Sequence, residues 1–195
     1  MDAGTILITG IGLAVAAGLN AYIPLLVAGL LIHFDVVSFG EPFDLLGGWP
    51  ALIIVGVLLA VEVVADKVPA VDSVNDMIQT FIRPASGALL FAGAAHGIDP
   101  EWSQALALIL GLATAGSVHA AKATARPVVN VATAGVGAPV VSTVEDGVSA
   151  GLAVTALLAP LLALLLIVAV IWWLVVALRR RADRRSGPRA GSASP

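Results

Sequence analysis

Residues 3–34 contain no Asp, Glu, Lys or Arg. A helix needs about 20 apolar residues to cross the hydrocarbon of a bilayer, so this stretch alone is long enough to do it. The rest of the chain agrees. It has 195 residues, 59% hydrophobic and 12% charged, with a mean hydropathy of +1.01. Soluble domains carry about 25% charged residues. A chain with half of that cannot wet its own surface, which excludes an ordinary soluble enzyme, a nucleic-acid binder and a disordered protein. The expected fold class is all-α, a polytopic transmembrane helix bundle. Residues 3–34 are too long for a signal-peptide core and lack a basic flank, so they read as a retained span. The absence of cysteine excludes disulfides, thiolate catalysis, Cys-ligated zinc and iron–sulfur clusters.

Hydropathy and punctuation predict about six spans, near 4–32, 50–65, 84–98, 103–121, 127–144 and 148–178. Two Pro/Gly-interrupted segments, 66–83 and 127–146, could re-enter the membrane instead of crossing it. Residues 1–178 form one transmembrane domain. Residues 179–195 form a basic tail with six Arg and one Asp, disordered toward its Ser/Gly/Pro end. With six crossings both termini are cytoplasmic. All ten basic residues then lie on the cytoplasmic side, and Asp35, Glu41, Asp44, Asp99, Glu101, Glu145 and Asp146 lie outside. Five crossings would divide the basic residues six against four, a poorer match to the positive-inside rule. Small-residue pairs, Ala14/Gly18, Gly111/Ala115 and Gly147/Gly151, allow helices to approach closely.

Ionisable groups inside an apolar run are costly and mark candidate sites. Asn20 precedes Pro24 by four residues, so a proline in a continuous helix would free the Asn20 carbonyl beside its amide. Glu62 and Asp66 share a helix face near the end of the second span. They could carry a proton or cation, or pair with Lys67, Lys122 or Arg126. His119, Lys122 and Arg126 form a basic stripe that suits an anionic group or those same acids. Asp72 and Asp76 could hold a hard cation, with Arg83 on a phosphate. The alternative for them is capping and salt bridging. Asn130 and Pro139 mark a second irregular stretch, of the kind that lines transporter sites. His33 and His96 fall at span ends without metal-ligand spacing. No nucleotide loop, GxSxG or HExxH is present.

Several stretches together resemble the DUF4126 family of bacterial multi-pass membrane proteins. They are Gly18 to Pro24, Glu62 through Asp66-Lys67-Val68-Pro69 to Ser73, Ile82-Arg83-Pro84, His119 to Lys122, Asn130, Thr133-Ala134-Gly135, Pro139, Ser142 and Glu145-Asp146. Gly137-Ala138 stands where the family pattern has Asn-Pro. The resemblance implies residence in the bacterial inner membrane and no known activity.

The expected function is binding or transport of a small ion or solute at a polar site built from Asn20, Glu62, Asp66, Lys67, His119, Lys122, Arg126 and Asn130. No cofactor is expected. The expected partners are membrane lipids, the ion or solute and a second copy of the chain, with no nucleic acid. Two competitors remain: an enzyme on a lipid phosphate using Asp72, Asp76 and Arg83, and an assembly partner whose charges only join helices.

Overall fold

The computed structural model describes residues 2–65, 69–96, 102–133 and 136–185. Among them are seven α-helices and no strand: α1 (Ala3–Leu19), α2 (Tyr22–His33), α3 (Trp49–Ala65), α4 (Pro69–Ala94), α5 (Trp102–Ala132), α6 (Gly137–Leu158) and α7 (Pro160–Arg185). A short 3-10 turn, Phe43–Gly47, leads into α3. Ser103–Val129, Pro139–Leu158 and Pro160–Ala177 are long and apolar enough to cross a membrane, while α1, α2 and α3 are shorter apolar helices.

Local chemistry sets many of the helix ends. Asp2 caps α1 by accepting the Thr5 N–H at 2.7 Å, and that bond holds its carboxyl below the ordinary aspartate value. Pro69 and Pro160 open α4 and α7, where a missing N–H costs nothing. Pro84 and Pro127 lie inside α4 and α5, which continue through them. A proline removes one bond of the helix ladder, and packed neighbours can hold the helix together across it.

This corrects three expected boundaries. From residue 69 onward, the segment expected at 66–83 is one helix with the third span. The segment expected at 127–144 is not a crossing of its own: 127–132 end α5 and 137–144 begin α6. Pro139 sits in the first turn of α6 and interrupts nothing. The long final span, 148–178, is divided at Ala159.

The first segment departs most from expectation. Residues 4–32 are not one kinked span but two helices with a break at Asn20, whose backbone is extended (φ −144°, ψ 127°). Pro24 is the third residue of α2, so it takes no donor from the helix. The two helices form a hairpin. Along α1, Gly10 faces Phe91 and Ala14 approaches Gly87, so α1 and α4 run antiparallel. After α2, Phe39 packs on Gly93, Gly40 on His96, and Phe43 joins Ile6, Phe91 and Ala95. The chain is therefore back beside the start of α1 within six residues of His33, a reach of at most about 20 Å. We call this the His96 end, and the opposite one the Asp76 end.

The other helices follow antiparallel rules. α5 pairs with α4 through Gly111 on Gly87 and Arg126 on Asp76. α6 runs antiparallel to α1, with Ala156 against Gly12, Ser149 Oγ donating to the Ala16 carbonyl at 2.9 Å, and Asp146 at Asn20. α6 packs on both arms of the hairpin. The α1–α4–α5 crossing has no room for side chains. A Cβ on Gly87 would lie 2.8 Å from the Gly111 carbonyl oxygen, and one on Gly111 would run into the Gly87 carbonyl. Gly147 and Gly151 meet nothing within 4 Å, so that expected pair is no helix contact.

The bundle is apolar outside and polar within. Ile53, Ile54, Val57, Val61 and Val64 of α3, and Leu161, Leu165, Ile171, Trp172 and Trp173 of α7, are exposed, whereas Arg83, Glu62, Gln79 and Asn20 are buried. Water would not tolerate so much exposed apolar surface, and a bilayer would.

Candidate functional site

The hairpin tip leaves the carbonyls ending α1 and the amides beginning α2 without partners in their own helices. Asn20 answers half of this. Its Oδ1 accepts the N–H groups of Tyr22 and Ile23, each at 3.0 Å, and so caps α2. Its Nδ2 donates to Asp146 Oδ1 at 2.9 Å, fastening the tip to α6. Lys122 of α5 answers the other half, its Nζ donating to the Leu19 carbonyl at 2.9 Å. A cation is well placed at a helix C-terminus, where the dipole is negative.

Around the tip the buried charges form two linked groups. In the first, Lys122 Nζ pairs with Glu145 Oε2 at 2.8 Å, and Arg126 bridges Glu145 Oε2 and Asp76 Oδ2, each at 3.5 Å. In the second, Arg83 Nη2 pairs with Glu62 Oε1 at 3.1 Å, and both residues are at most 2% exposed. Tyr22, at the start of α2, feels both of these charges. His119 joins the groups. Arg83 Nη1 lies 3.2 Å from His119 Nδ1, and Thr80 Oγ1 lies 3.1 Å from Nε2.

Those contacts fix the ring's proton. A guanidinium only donates, so Nδ1 accepts. The Thr80 hydroxyl spends its hydrogen on the Asp76 carbonyl at 2.9 Å, so it accepts from Nε2. His119 is therefore neutral in this arrangement, with its proton on Nε2. Three carboxylates, of Glu62, Asp76 and Glu145, pair with the cations Arg83, Lys122 and Arg126, and the Asp146 carboxylate accepts from Asn20.

The partners differ from those expected. Glu62 pairs with Arg83, not with Lys122 or Arg126. The stripe His119–Lys122–Arg126 binds Arg83, Glu145 and Asp76. The reason is depth: α3 touches α4 rather than α5, and α6 brings its own acids to α5. Arg83 is fully buried between Glu62 and His119, so it is not presented to a lipid headgroup. Among the described residues no three His, Asp or Glu side chains gather to hold a metal. Asp66 and Lys67 lie outside the described residues. Asp72 falls in the first part of α4 and Asn130 in the last turn of α5. His33 bonds the Gly47 carbonyl at 2.8 Å and stacks edge-on against Trp49, and His96 sits beside Phe43. Both belong to the opposite end of the bundle.

Glu145 and Asp146 were expected in an outer loop, but they lie inside α6 among the basic residues. The missed signal is their position in an otherwise apolar helix, four and three residues before Ser149, which also faces inward. Gln79, Thr80 and Tyr22 were missed as well. A hollow of about 340 Å³ lined by Pro139, Val140, Thr143 and Val144 lies on the outward face of α6, and no network residue lines it.

Long apolar helices, an apolar exterior and a charged interior are together compatible with an integral membrane protein whose polar groups serve the bundle's inside. The profile of the family described as a domain of unknown function, DUF4126, matches residues 7–180, and the chain belongs to that family. No curated protein and no solved structure matches it.

Proposed function

We propose that this is a membrane protein that binds or moves a small ion or solute at the tip of the α1–α2 hairpin. The observation that carries the reading is the break at Asn20. A helix end, an inverted helix start, an amide and seven charged side chains meet there, in a chain with few charges to spare. Interrupted helices that expose backbone groups among ionisable side chains are a general way to build such sites in membranes. The Leu19 carbonyl and the Glu145 carboxylate form a cation-binding pair filled by the Lys122 ammonium. A mobile cation would compete for the same two oxygens.

The hairpin supports one sidedness. Both arms open to the His96 end, so the N-terminus belongs there. Arg83, Lys122 and Arg126 lie toward the Asp76 end, which the positive-inside rule makes cytoplasmic. One crossing by α7 carries Arg179 and Arg180 to that side. In this reading the N-terminus lies outside the bacterial inner membrane and the basic tail inside, whereas the charge distribution alone suggested two cytoplasmic termini. Single cysteines at Asp2 and Ser192 in this cysteine-free chain should be labelled from opposite sides.

A second reading has its own support: nearly every charge in the network already has a partner, as in interhelical glue. Charge displacement in proteoliposomes separates the two, stepping pH, Na⁺, K⁺ and small anions in turn. A signal in the wild type that Lys122→Ala and Glu62→Gln abolish, with the variants still monodisperse, favours the site. Wild type equal to empty liposomes, with variants that lose only stability, favours glue.

A further inference from the structure

We propose that the arginine-rich end of α7 binds phospholipids with anionic headgroups and gathers them around that helix. The inference does not rest on the hairpin tip binding an ion.

α7 is one helix from Pro160 to Arg185. Its first 18 residues, Pro160–Ala177, are apolar, and only 6% of that run is buried in the bundle. At about 1.5 Å per residue the run is about 27 Å long, close to the ~30 Å hydrocarbon of a bilayer. An upright α7 therefore brings Arg179 to the hydrocarbon edge. Arg180 to Arg185 continue about 8 Å further, through the layer that holds the lipid phosphates.

The helix sorts these charges. At about 100° per residue, Arg180, Arg181, Arg184 and Arg185 fall within an arc of about 140°. Arg179 and Asp183, four residues apart, lie on the other side. The one acid of the segment is thus set beside the fifth Arg and away from the other four. The positive-inside rule counts basic residues and asks for no such face. Four guanidiniums without an acid suit a layer of phosphates, since each planar fork can hold one phosphate through two donors. A cluster of this size directly after a span is also what attracts anionic lipid.

The protein offers these arginines little else. Arg83, Lys122 and Arg126 each meet a carboxylate inside the bundle, whereas Arg179 and Arg180 are exposed and meet none among the described residues. Beyond Ile167 no described side chain of α7 up to Arg180 is buried, so lipid is the neighbour there. Trp173 lies seven residues before Arg180, two turns deeper on the same face. Trp172 and Trp173 are 68% and 64% exposed, and so stand among the acyl chains of the lipids that the arginines hold.

That placement supplies the test. The full chain is put into symmetric vesicles of phosphatidylcholine with a minority of phosphatidylglycerol. Bromine is carried on the acyl chains of one lipid or the other at equal mole fraction. Bromine quenches tryptophan on contact, and the two Trp outside α7 give a background that the variants leave untouched. Brominated phosphatidylglycerol should quench as if its local fraction were about twice its bulk fraction or more. The excess should vanish near ~1 M salt, where the Debye length falls to ~3 Å. Arg180→Gln, Arg181→Gln, Arg184→Gln and Arg185→Gln together should abolish it. Arg→Lys at the same four positions should keep most of it, which separates charge from folding. Arg179→Gln with Asp183→Asn should leave it unchanged. Both leaflets have one composition, so a variant inserted the other way round reads the same. Equal quenching by the two brominated lipids in the wild type overturns the proposal, as does an excess that survives the four Gln changes. An oligonucleotide or acidic polypeptide that binds the chain in pure phosphatidylcholine, with no lipid excess in the mixed vesicles, gives the face to a soluble partner and overturns it too.

Discussion

Replacing Arg83 by Met and Glu62 by Leu, singly and together, measures what their ion pair does. At 3.1 Å and an effective dielectric constant of about 20, the attraction is about 5 kcal/mol. Removing both charges from water offsets most of this, so the intact pair adds little net stability. A single substitution is different because it takes the ion-pair partner from a charge that stays buried in the bundle. Arg83→Met leaves Glu62 buried and removes the donor to His119. Glu62→Leu leaves a guanidinium inside, with its Nε already lacking a partner among the described residues. Each should cost about 3–5 kcal/mol. The double variant should cost no more than the worse single one, a coupling of about 2 kcal/mol or more. The assay is chemical unfolding in nanodiscs followed by tryptophan fluorescence, using the four Trp of the chain. Costs that simply add, within about 0.5 kcal/mol, would refute the pairing. The double variant also divides structure from work: it should be folded and yet give no charge displacement.

Two further outcomes follow from the geometry. Asn20→Ala should destabilise by about 1–3 kcal/mol, because it strands the Tyr22 and Ile23 amides and the Asp146 carboxylate together; unfolding in nanodiscs reads this, and Asn20→Asp should be worse because it faces Asp146. Gly111→Ala should cost about 1–3 kcal/mol, since its Cβ would meet backbone rather than a yielding side chain, whereas Gly151→Ala should be neutral or stabilising by up to about 1 kcal/mol, with thermal melts in detergent as the check.

Much of the buried polar network was legible in the sequence. Glu62, Arg83, His119, Lys122 and Arg126 stand out because a charge in an apolar run has to be accounted for, and all five are buried. Their partners were not legible. Lys122 on Leu19 joins residues 103 apart in sequence, and Asn20 on Asp146 joins residues 126 apart. Which acid meets which base depends on which helices touch and at what depth, and hydropathy carries neither. Glu145 and Asp146 illustrate the loss: beside Gly147 they read as a loop, and only α6 packing on α1 turns them inward.

The sequence by itself determined the class. Charge-free runs, sparse polarity and a basic tail leave little choice but helices in a bilayer, because unpaired backbone groups are intolerable there. What it left open at Asn20-Ala-Tyr-Ile-Pro24 was the direction of the chain. A kinked span and a hairpin need the same apolar residues, and they differ in who satisfies the backbone at the break. Lys122 on the α1 carbonyl, Asn20 on the α2 amides and Asp146 behind Asn20 make the hairpin affordable. Two of those three groups come from distant helices, so only the tertiary structure could decide that the chain turns back.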